Sequence, residues 1–402
     1  VKNIMDNLFR RNLVKKIICV LLVLAFIISG VFAGSVYYAF GDIGQHPDIL
    51  MGFIPSYAYM GVGVKLPQSN DDNTHDIQFL VGEGYLQRLL WQDKVSGENN
   101  YDKDVWDKDS ALRYNVWSND FTARFRQGFG ESPVEGKDLL LLTAGVNVKY
   151  ERYYSASQFG IFDIKGTLDS IIDSSYDGKI YPELAGGGKS FLGAEIQANL
   201  KLDLMEDTLH TNDGFWARLD FKYGPKIINS FSEGFADYIT FTINGVGAKT
   251  LYNLTDAEGD SVVSLILIDR MNASWTGGES VPSFVQGPVS LGRKVRGFNT
   301  YTYNTEFTAV NNLDLRITGP GLGLDKLAPR VNLFLDCGYG WGRVLNTDRL
   351  ENNFLASLGV QVEMSFFDFI DLGYQVSYLL VDKEKYTQPG KITTSFTFFL
   401  DF

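Results

Sequence analysis

The end of this chain alternates between apolar residues and small or polar ones. The apolar positions in the last segment are Phe396, Phe398, Leu400 and Phe402. The positions between them, from Thr393 to Asp401, are mostly small or polar. Because successive side chains of a β-strand point to opposite faces, such a segment has one face suited to hydrocarbon and one suited to water. The C-terminus therefore predicts a strand between lipid and a wet interior.

The same period of two recurs along the chain. Clean alternation is found in the segments 58–66, 142–150, 196–204, 215–222, 358–364 and 372–378. A soluble β-sandwich would show similar alternation, so the pattern alone does not separate the two classes. Long polar stretches such as 93–109 and 155–189 separate these segments, as expected for strands that cross a bilayer obliquely over ~9 to 11 residues. We therefore predict an all-β fold, a transmembrane antiparallel β-barrel.

The number of strands is less closely defined. We count about eight strand candidates before residue 275 and five after it. A closed barrel with both termini in the periplasm needs an even number, so totals of about 12, 14 or 16 fit. The discrepancy falls in residues 155–189 or 237–250. One domain is predicted, a barrel at residues 54–402, after a short N-terminal segment at residues 34–53.

Residues 1–33 have the features of a cleaved signal peptide. Four basic residues precede an uninterrupted apolar run at residues 17–28, and Ala33 closes a small-residue cleavage site. The run is shorter than the ~20 residues of a spanning helix, which disfavours the alternative of an uncleaved anchor. Export and the strand pattern together predict a location in the outer membrane of a Gram-negative-type bacterial envelope.

Charge and cysteine content exclude several classes of protein. Removal of residues 1–33 takes away five basic residues and one acid, so the formal net charge of −12 becomes about −16. An acidic exported protein without a basic patch is a poor candidate for nucleic-acid binding. Cys19 lies in the signal peptide, so Cys337 remains alone and the mature chain cannot form an intramolecular disulfide.

The sequence has no pattern typical of a catalytic or metal site. Its histidines are His46, His75 and His210. None stands beside a serine and an acid on one strand face, as nucleophilic catalysis would require. The acid-rich loops lack the Asp-x-Asp-x-Asp-Gly pattern of calcium loops. We therefore expect no catalytic residue, no cofactor and no metal site.

The most specific signal joins an arginine in a predicted loop to an aspartate in a later strand. The apolar face of that strand consists of Leu333, Leu335, Cys337, Tyr339 and Trp341. Asp336 therefore faces the lumen, where a buried carboxylate is costly unless it is paired. The guanidinium of Arg296 offers a bidentate partner. Gly297 lets the backbone approach the wall or adopt positive φ, and Phe298 anchors the tip in an apolar niche, so the loop is predicted to fold inward.

These two segments resemble motifs of the outer-membrane insertases and translocases typified by BamA and TamA. This superfamily includes the two-partner secretion transporters and is also called the bacterial surface antigens. Its sixth extracellular loop carries Val-Arg-Gly-Phe/Tyr, and its lumen-wall strand carries Phe-x-Asp-x-Gly. The matching residues here are Val295, Arg296, Gly297 and Phe298 in the loop and Phe334, Asp336 and Gly338 in the strand. The resemblance implies that the loop arginine binds the wall aspartate.

The resemblance also has consequences for architecture. It implies about 16 strands, five of them after the loop, near residues 301–317, 329–343, 353–366, 369–380 and 391–402. Full assembly factors of the superfamily carry periplasmic POTRA modules, for which residues 34–53 leave no room. The chain therefore resembles a POTRA-less, barrel-only member.

Other charged residues are expected to line the lumen near the loop. Alternation places three of them on one face of the strand that follows the loop. These residues are Glu306, Asp314 and Arg316, and the loop itself offers Arg293 and Lys294. These five residues are the candidates for a second network of ion pairs between the loop and the wall, beside the Arg296–Asp336 pair.

Two functions fit this pattern. In the first, the Arg296–Asp336 pair holds the lumen shut at rest, and the first strand, near residues 57–66, meets the last in a seam that opens sideways. Gly61 and Gly63 favour a loosened first strand. The barrel would then assist the assembly or translocation of proteins or lipids at the outer membrane. In the second, the pair only fixes a loop inside a passive channel or a surface-exposed structural or adhesin barrel.

Each function implies its own partners. Outer-membrane lipids surround the barrel in both cases, and the first function adds a periplasmic or secreted protein partner. The C-terminal residues Phe396, Phe398, Leu400 and Phe402 match the signal by which barrels are recognised for folding. The chain is therefore also expected to be a client of the barrel assembly machinery.

Overall fold

The computed structural model describes most of the predicted barrel. The described residues are 36–40, 44–45, 55–67, 73–91, 111–134, 136–155, 182, 190–207, 211–231, 234–259, 261–298, 304–320, 327–346, 348, 350–366, 370–381 and 391–400. The predicted signal peptide at residues 1–33 and the polar stretches at 93–109 and 156–181 lie outside them.

The described chain is built almost entirely of β-strands. The first nine strands are β1 Val36–Phe40, β2 Gly44–Gln45, β3 Pro55–Lys65, β4 His75–Trp91, β5 Ala111–Glu131, β6 Asp138–Ser155, β7 Ser190–Asp203, β8 Glu206–Asp207 and β9 Asn212–Gly224. The others are β10 Ser230–Phe231, β11 Gly234–Phe235, β12 Asp237–Thr255, β13 Ser261–Ser280, β14 Thr305–Thr318, β15 Leu327–Val344, β16 Leu350–Phe366, β17 Ile370–Leu379 and β18 Ile392–Leu400.

Fourteen of these strands form one continuous antiparallel sheet. In order they are β1, β3, β4, β5, β6, β7, β9, β12, β13, β14, β15, β16, β17 and β18. The short strands β2 and β8 pair at the margin of the sheet, and β10 and β11 form a separate hairpin. The predicted antiparallel all-β fold is confirmed, and the 14 strands described lie within the range of 12 to 16 but below the 16 that the resemblance implies. Within the described residues no backbone pairing joins β1 to β18, so the sheet has two edges.

The helical elements with described bounds lie in the connection between β13 and β14. They are the helix α1, Ser283–Val289, and a 3₁₀ turn, Leu291–Arg293. Among the residues that the structure describes, no helix has the length and apolar character needed to cross a membrane.

The two faces of the sheet differ in polarity. On β16, Leu358, Val360 and Val362 are exposed on the outer face, whereas Ser357 and Gln361 are buried on the inner face. A soluble protein has the opposite distribution. Exposed apolar residues outside and buried polar residues inside are expected where lipid covers the sheet and a polar lumen lies within. The sheet therefore has the polarity of a membrane β-barrel.

A row of aromatic side chains crosses five neighbouring strands on the outer face. Register places Phe221, Phe241, Trp275, Phe307 and Trp341 directly opposite one another on β9, β12, β13, β14 and β15. Successive ring centroids lie 5.0, 5.9, 6.2 and 5.2 Å apart. Contacts of this kind stabilise by about 0.5–1.5 kcal/mol each beyond the buried area, and aromatic girdles mark the lipid–water interface of membrane barrels.

The two ends of the sheet carry different connections. Short connections at one end are residues 66–74, 132–137, 256–260, 319–326 and 367–369, whereas the other end carries the long connections 92–110, 156–189 and 281–304 beside the short connection 345–349. Val36 of β1 pairs beside the first short turn, and Leu400 of β18 pairs beside the last. Both edge strands therefore start or finish at the short-turn end, which is the periplasmic end in outer-membrane barrels.

The sheet begins earlier than the sequence predicts. We expected the barrel to start at residue 54 and its first strand near residues 57–66, but β1 pairs with β3 along its whole length. With β1, nine strands of the sheet precede the inward connection, against about eight predicted. Five residues are too few to show a reliable period of two.

Tyr37 anchors β1 to the inner face of the sheet. Its hydroxyl donates to Asp76 (2.6 Å) and accepts from Gln78 (2.8 Å) and Arg126 (3.1 Å). A Cβ at Gly63 would lie 2.1 Å from Cζ of Tyr37, so this glycine makes room for the ring. The missing side chain of Gly63 thus permits close packing of β1 on β3, and the effect of this glycine on the looseness of the strand stays a prediction.

We predict that Tyr37→Phe loosens the edge strand. The ring is kept, but the hydrogen bonds to charged partners are lost, which costs about 1.5–3 kcal/mol. Amide hydrogen exchange at residues 36–40 should become faster. Tyr38→Phe is the matched control, because Tyr38 is 84% exposed on the outer face. Equal exchange rates in the two variants would show that the hydroxyl of Tyr37 does not hold the strand.

Candidate functional site

The inward loop, residues 281–298, is the described part of the connection between β13 and β14. The carbonyl of Pro282 accepts the first backbone hydrogen bonds of α1. Ser290 is extended (φ −60°, ψ 126°) and ends the helix before the 3₁₀ turn, which closes with a bond from Lys294 N to Leu291 O (3.1 Å). Gly297 then has φ +90°, a conformation that glycine adopts without strain. The chain turns back at this residue, as predicted.

Arg296 binds Asp336 on β15 through its side chain and its backbone. Nε donates to Oδ2 (2.8 Å), Nη2 donates to Oδ1 (2.6 Å), and the backbone N–H of Arg296 donates to Oδ2 (2.9 Å). The aspartate side chain is fully buried, and that of Arg296 is 20% exposed. The pair predicted from alternation is therefore present, with the bidentate geometry that gives such contacts their directionality.

A second carboxylate and a second arginine complete a chain of alternating charge. Nη2 of Arg296 lies 2.7 Å from Oδ1 of Asp314 on β14. That oxygen has no hydrogen bond within the described part of the protein, so the contact is an ion pair without hydrogen-bond geometry. Arg270 on β13 binds the other oxygen of Asp314. The order Arg270, Asp314, Arg296, Asp336 leaves no net charge in the cluster, which lowers the cost of burying it.

The other two residues of the strand motif have steric and electrostatic roles. The ring of Phe334 lies under the guanidinium, with Cζ of Arg296 3.9 Å from the ring centroid. This is the geometry of a cation–π contact. A Cβ at Gly338 would lie 2.7 Å from Leu291 and from Val295. Gly338 therefore provides the space in which the loop rests on the wall.

The tip of the loop is anchored by a small apolar cluster inside the sheet. Its buried members are Leu291, Val295, Phe298, Val310, Leu355 and Leu379. A Cβ at Gly297 would lie 2.7 Å from Cβ of Ser377 and 2.9 Å from Oγ1 of Thr393, so the loop backbone runs against β17 and β18. The close approach at Gly297 and the apolar niche for Phe298 are both as predicted.

The start of the loop contacts the opposite part of the sheet. The ring of Phe284 lies 5.2 Å from that of Phe191 on β7 and 6.2 Å from that of Tyr238 on β12. Nζ of Lys149 on β6 lies 5.1 Å from the Phe284 ring. In a flat sheet, β6 and β18 would be about 43 Å apart, since neighbouring strands lie ~4.8 Å apart. Phe284 and Gly297 belong to one short, partly helical segment, so the sheet must curve around the inward loop.

Three of the other predicted lumen residues contact partners outside the Arg296–Asp336 pair. Glu306 accepts from Nε of Arg343 (2.9 Å), because a register shift between Thr305 and Phe307 turns it toward the rim. Nε of Arg316 donates to Asn332 (3.1 Å), and Lys294 binds Asn272. Among the candidates whose side chains the structure describes, Asp314 forms an ion pair with Arg296. The side chain of Arg293 lies outside the described residues.

The remaining predicted residues are only partly described. Phe396 is half-exposed on the outer face of β18. The backbone of Phe398 and Leu400 pairs with β17, but their side chains, and all of Phe402, lie outside the described residues. His75 contacts Gln127 (2.5 Å) and the ring of Phe125 on the outer face. His46 and His210 also fall outside the described part.

Sequence reasoning missed two members of this site, Arg270 and Phe284. Arg270 lies on the inner face of β13 together with Asn272 and Ser274. Alternation along β13 is the signal that places it on the lumen side. Phe284 gave no signal, because a single aromatic residue in a connection has no period to reveal its contact.

Comparison with known proteins gives similarity of fold only. No protein-family model matches the chain, and no curated protein does. The crystal structure of BamA from Haemophilus ducreyi lacking POTRA domains 1-3 is similar with a TM-score of 0.47 and 10% identity, over 92% of this chain and 70% of that one. CdiB from Escherichia coli gives 0.46 and 11%, over 86% and 53%. The siderophore receptor PirA from Acinetobacter baumannii gives 0.29 and 10%, over 88% and 62%.

The chain spans less than two thirds of CdiB and of PirA. At these identities the similarity concerns the barrel fold alone. Function has to be argued from the chain's own residues.

We predict that Asp336→Ala releases the loop. The guanidinium would lose its bidentate partner and stay in the lumen, which costs about 3–5 kcal/mol. The free energy of unfolding in urea should fall by that amount, and a protease should cut residues 281–298 more readily. The control is Glu306→Ala, whose partner Arg343 is 58% exposed, so that the loss stays below about 1 kcal/mol. Equal losses would contradict a special role for Asp336.

A second prediction concerns the space at Gly338. Gly338→Ala would press a methyl group against Leu291 and Val295, and overpacking of this kind costs about 1–3 kcal/mol. In the control, Gly245→Ala, the nearest atom to the new Cβ is Trp216 O at 3.7 Å. That change should leave stability unchanged or slightly raised. If both variants unfold at the same urea concentration, the loop does not depend on Gly338.

Proposed function

We propose that this chain is an integral outer-membrane β-barrel of the superfamily typified by BamA and TamA. In this proposal it assists the assembly or translocation of proteins or lipids at the outer membrane. The observation that carries the proposal is the contact between Arg296 and Asp336, made by a loop that folds into the barrel. The motifs that carry the resemblance are the ones that meet in this contact.

The inward loop is suited to hold the lumen shut at rest. It is fixed at Phe284 against β6, β7 and β12, and at Arg296 against β14 and β15. A segment held at two separate parts of the wall crosses the space between them. Its displacement would break a buried ion pair, so the closed state is favoured until a client or a partner supplies competing contacts.

The two edges of the sheet are the proposed route for lateral release. β1 contributes five residues to the sheet and β18 nine, and each has β3 or β17 as its one long pairing partner among the described strands. A short edge strand offers few hydrogen bonds to hold a seam. The anchor at Tyr37 fixes β1 to its own side of the seam, so opening would leave β1 attached to β3.

The proposal names binding partners for the barrel but no catalysed reaction. The partners are outer-membrane lipids at the apolar outer face, the barrel assembly machinery of which the chain is a client, and a periplasmic or secreted protein. The carboxylates and guanidinium groups of the lumen neutralise one another, and we propose that they position the loop and do not catalyse a reaction.

Two experiments test the proposal. In planar bilayers, Arg296→Ala should raise the conductance of the purified barrel, because the loop is no longer held across the lumen; Glu306→Ala should behave as the unmodified chain. In the source bacterium, depletion should lower the folded amounts of other outer-membrane proteins, and re-expression of Arg296→Ala should restore them less well than the unmodified chain. Unchanged amounts after depletion would refute assembly or transport and support a passive channel.

A further inference from the structure

A carboxylate lies in the apolar outer face of the barrel. Arg270 points inward to Asp314, so its neighbour Asp269 points outward. Above Asp269 on the same face of β13 stand Met271, Ala273 and Trp275, and below it stand Leu267 and Leu265. Trp275 lies six residues after Asp269, which is about 20 Å along the strand and about 15 Å along the axis of a barrel whose strands tilt by ~40°. Asp269 therefore lies inside the apolar belt, which is ~25 Å tall in such barrels.

The side-chain partner of Asp269 among the described residues is an amide from the next strand. Nδ2 of Asn311 on β14 donates to Oδ1 of Asp269. Asn311 also faces outward, because its neighbour Asn312 donates to the loop carbonyl of Lys294 inside the lumen. Lys249, on the same face of β12 opposite Leu267, lies 2.6 Å from Asp213 on β9, so Asp269, Asp213 and Lys249 together keep one negative charge. One amide does not neutralise a carboxylate, and an ionisable group in a lipid-facing belt is costly without a partner.

The surface around this pair is a dent. Gly247 of β12 lies opposite Asp269, and Gly245 lies opposite Met271. A Cβ at Gly247 would meet no atom within 4 Å, and one at Gly245 would meet only Trp216 O at 3.7 Å, so both positions open directly to the outside. Met271, 62% exposed, and Ile243, 56% exposed, stand at the rim. The dent is about 10 Å wide, the distance across three strands.

We propose that this dent docks a membrane-embedded segment of a partner protein that carries a lysine or arginine in an otherwise apolar stretch. The cation would pair with Asp269, and the absence of side chains at Gly245 and Gly247 would let the two backbones approach closely. An α-helix with a diameter of ~10 Å matches the width of the dent. This inference rests on the membrane location of the proposed function.

A second copy of this chain is the less suitable occupant. Most homodimers use the same patch on both subunits. Such a contact would place one dent against another, leaving a void, and would bring two Asp269 carboxylates face to face. The dent is complementary to a convex segment with a positive charge, which a different protein can supply.

The test uses the full chain in phosphatidylcholine nanodiscs with Cys19→Ala, Cys337→Ala and a fluorescent donor at Glu258→Cys, in an exposed turn. The probe is a synthetic transmembrane peptide of leucine and alanine with one central lysine and an acceptor dye. The matched peptide has leucine in place of the lysine. Energy transfer should show the lysine peptide bound about tenfold more tightly.

Variants of the dent locate the binding. Asp269→Asn should abolish the preference for the lysine peptide, and Gly247→Leu should weaken its binding by filling the dent. Glu83→Gln, which removes a carboxylate from the outer face of β4, is the control and should change nothing. Equal affinity for the two peptides, or an unchanged preference in Asp269→Asn, would overturn the proposal. Self-association of the unmodified barrel that Gly247→Leu abolishes would also overturn it, in favour of a second copy.

A separate measurement distinguishes this inference from the proposed function. A fluorophore at Met271→Cys should be quenched by brominated acyl chains if this part of the wall faces lipid. Absence of quenching would refute the membrane location, and with it both proposals. Quenching without a preference for lysine would refute the docking site alone.

Discussion

The burial of one guanidinium inside the barrel dictates how the inward loop lies. Arg296 can enter the lumen only where carboxylates compensate its charge, and Asp336 and Asp314 occupy the two strands within its reach. Phe334 supplies a ring beneath it, and Gly338 leaves space for the loop that carries it. The residues of the two motifs therefore all help to hold the inward loop against the wall. Replacement of any one of them would disturb the others, because they share a single arrangement.

Much of this arrangement could be predicted from the sequence. Alternation gave the inner and outer faces of β15, and the cost of an unpaired carboxylate then called for a partner. The five strands after the loop were also predicted, and their observed bounds, from Thr305–Thr318 to Ile392–Leu400, differ from the prediction by a few residues. These predictions agree with the structure because side chains alternate strictly along a strand and because few kinds of side chain can compensate a buried charge.

The rest depended on contacts that leave no periodic trace. The five residues of β1 are too short to show alternation, and their place in the sheet depends on the hydroxyl of Tyr37 and on the bare surface of Gly63. Phe284 contacts three strands that precede it in the sequence. The residues that flank Phe284 in the sequence do not predict these contacts. Glu306 alternates correctly but faces the rim, because a register shift changes its direction. Bulges and long-range packing are where sequence periodicity ceases to be informative.

The two anchors of the inward loop also differ in the length of chain that separates each from its partner. Arg296 and Asp336 are 40 residues apart, with one strand pair between them, whereas Phe284 meets β6 and β7 across a much longer stretch. Closing the shorter stretch costs less chain entropy, and contacts of low sequence separation form faster. The C-terminal strands and the loop tip can therefore assemble as an early unit. The upstream strands would then close around a loop that is already in place, which makes the loop a template for the curvature of the barrel.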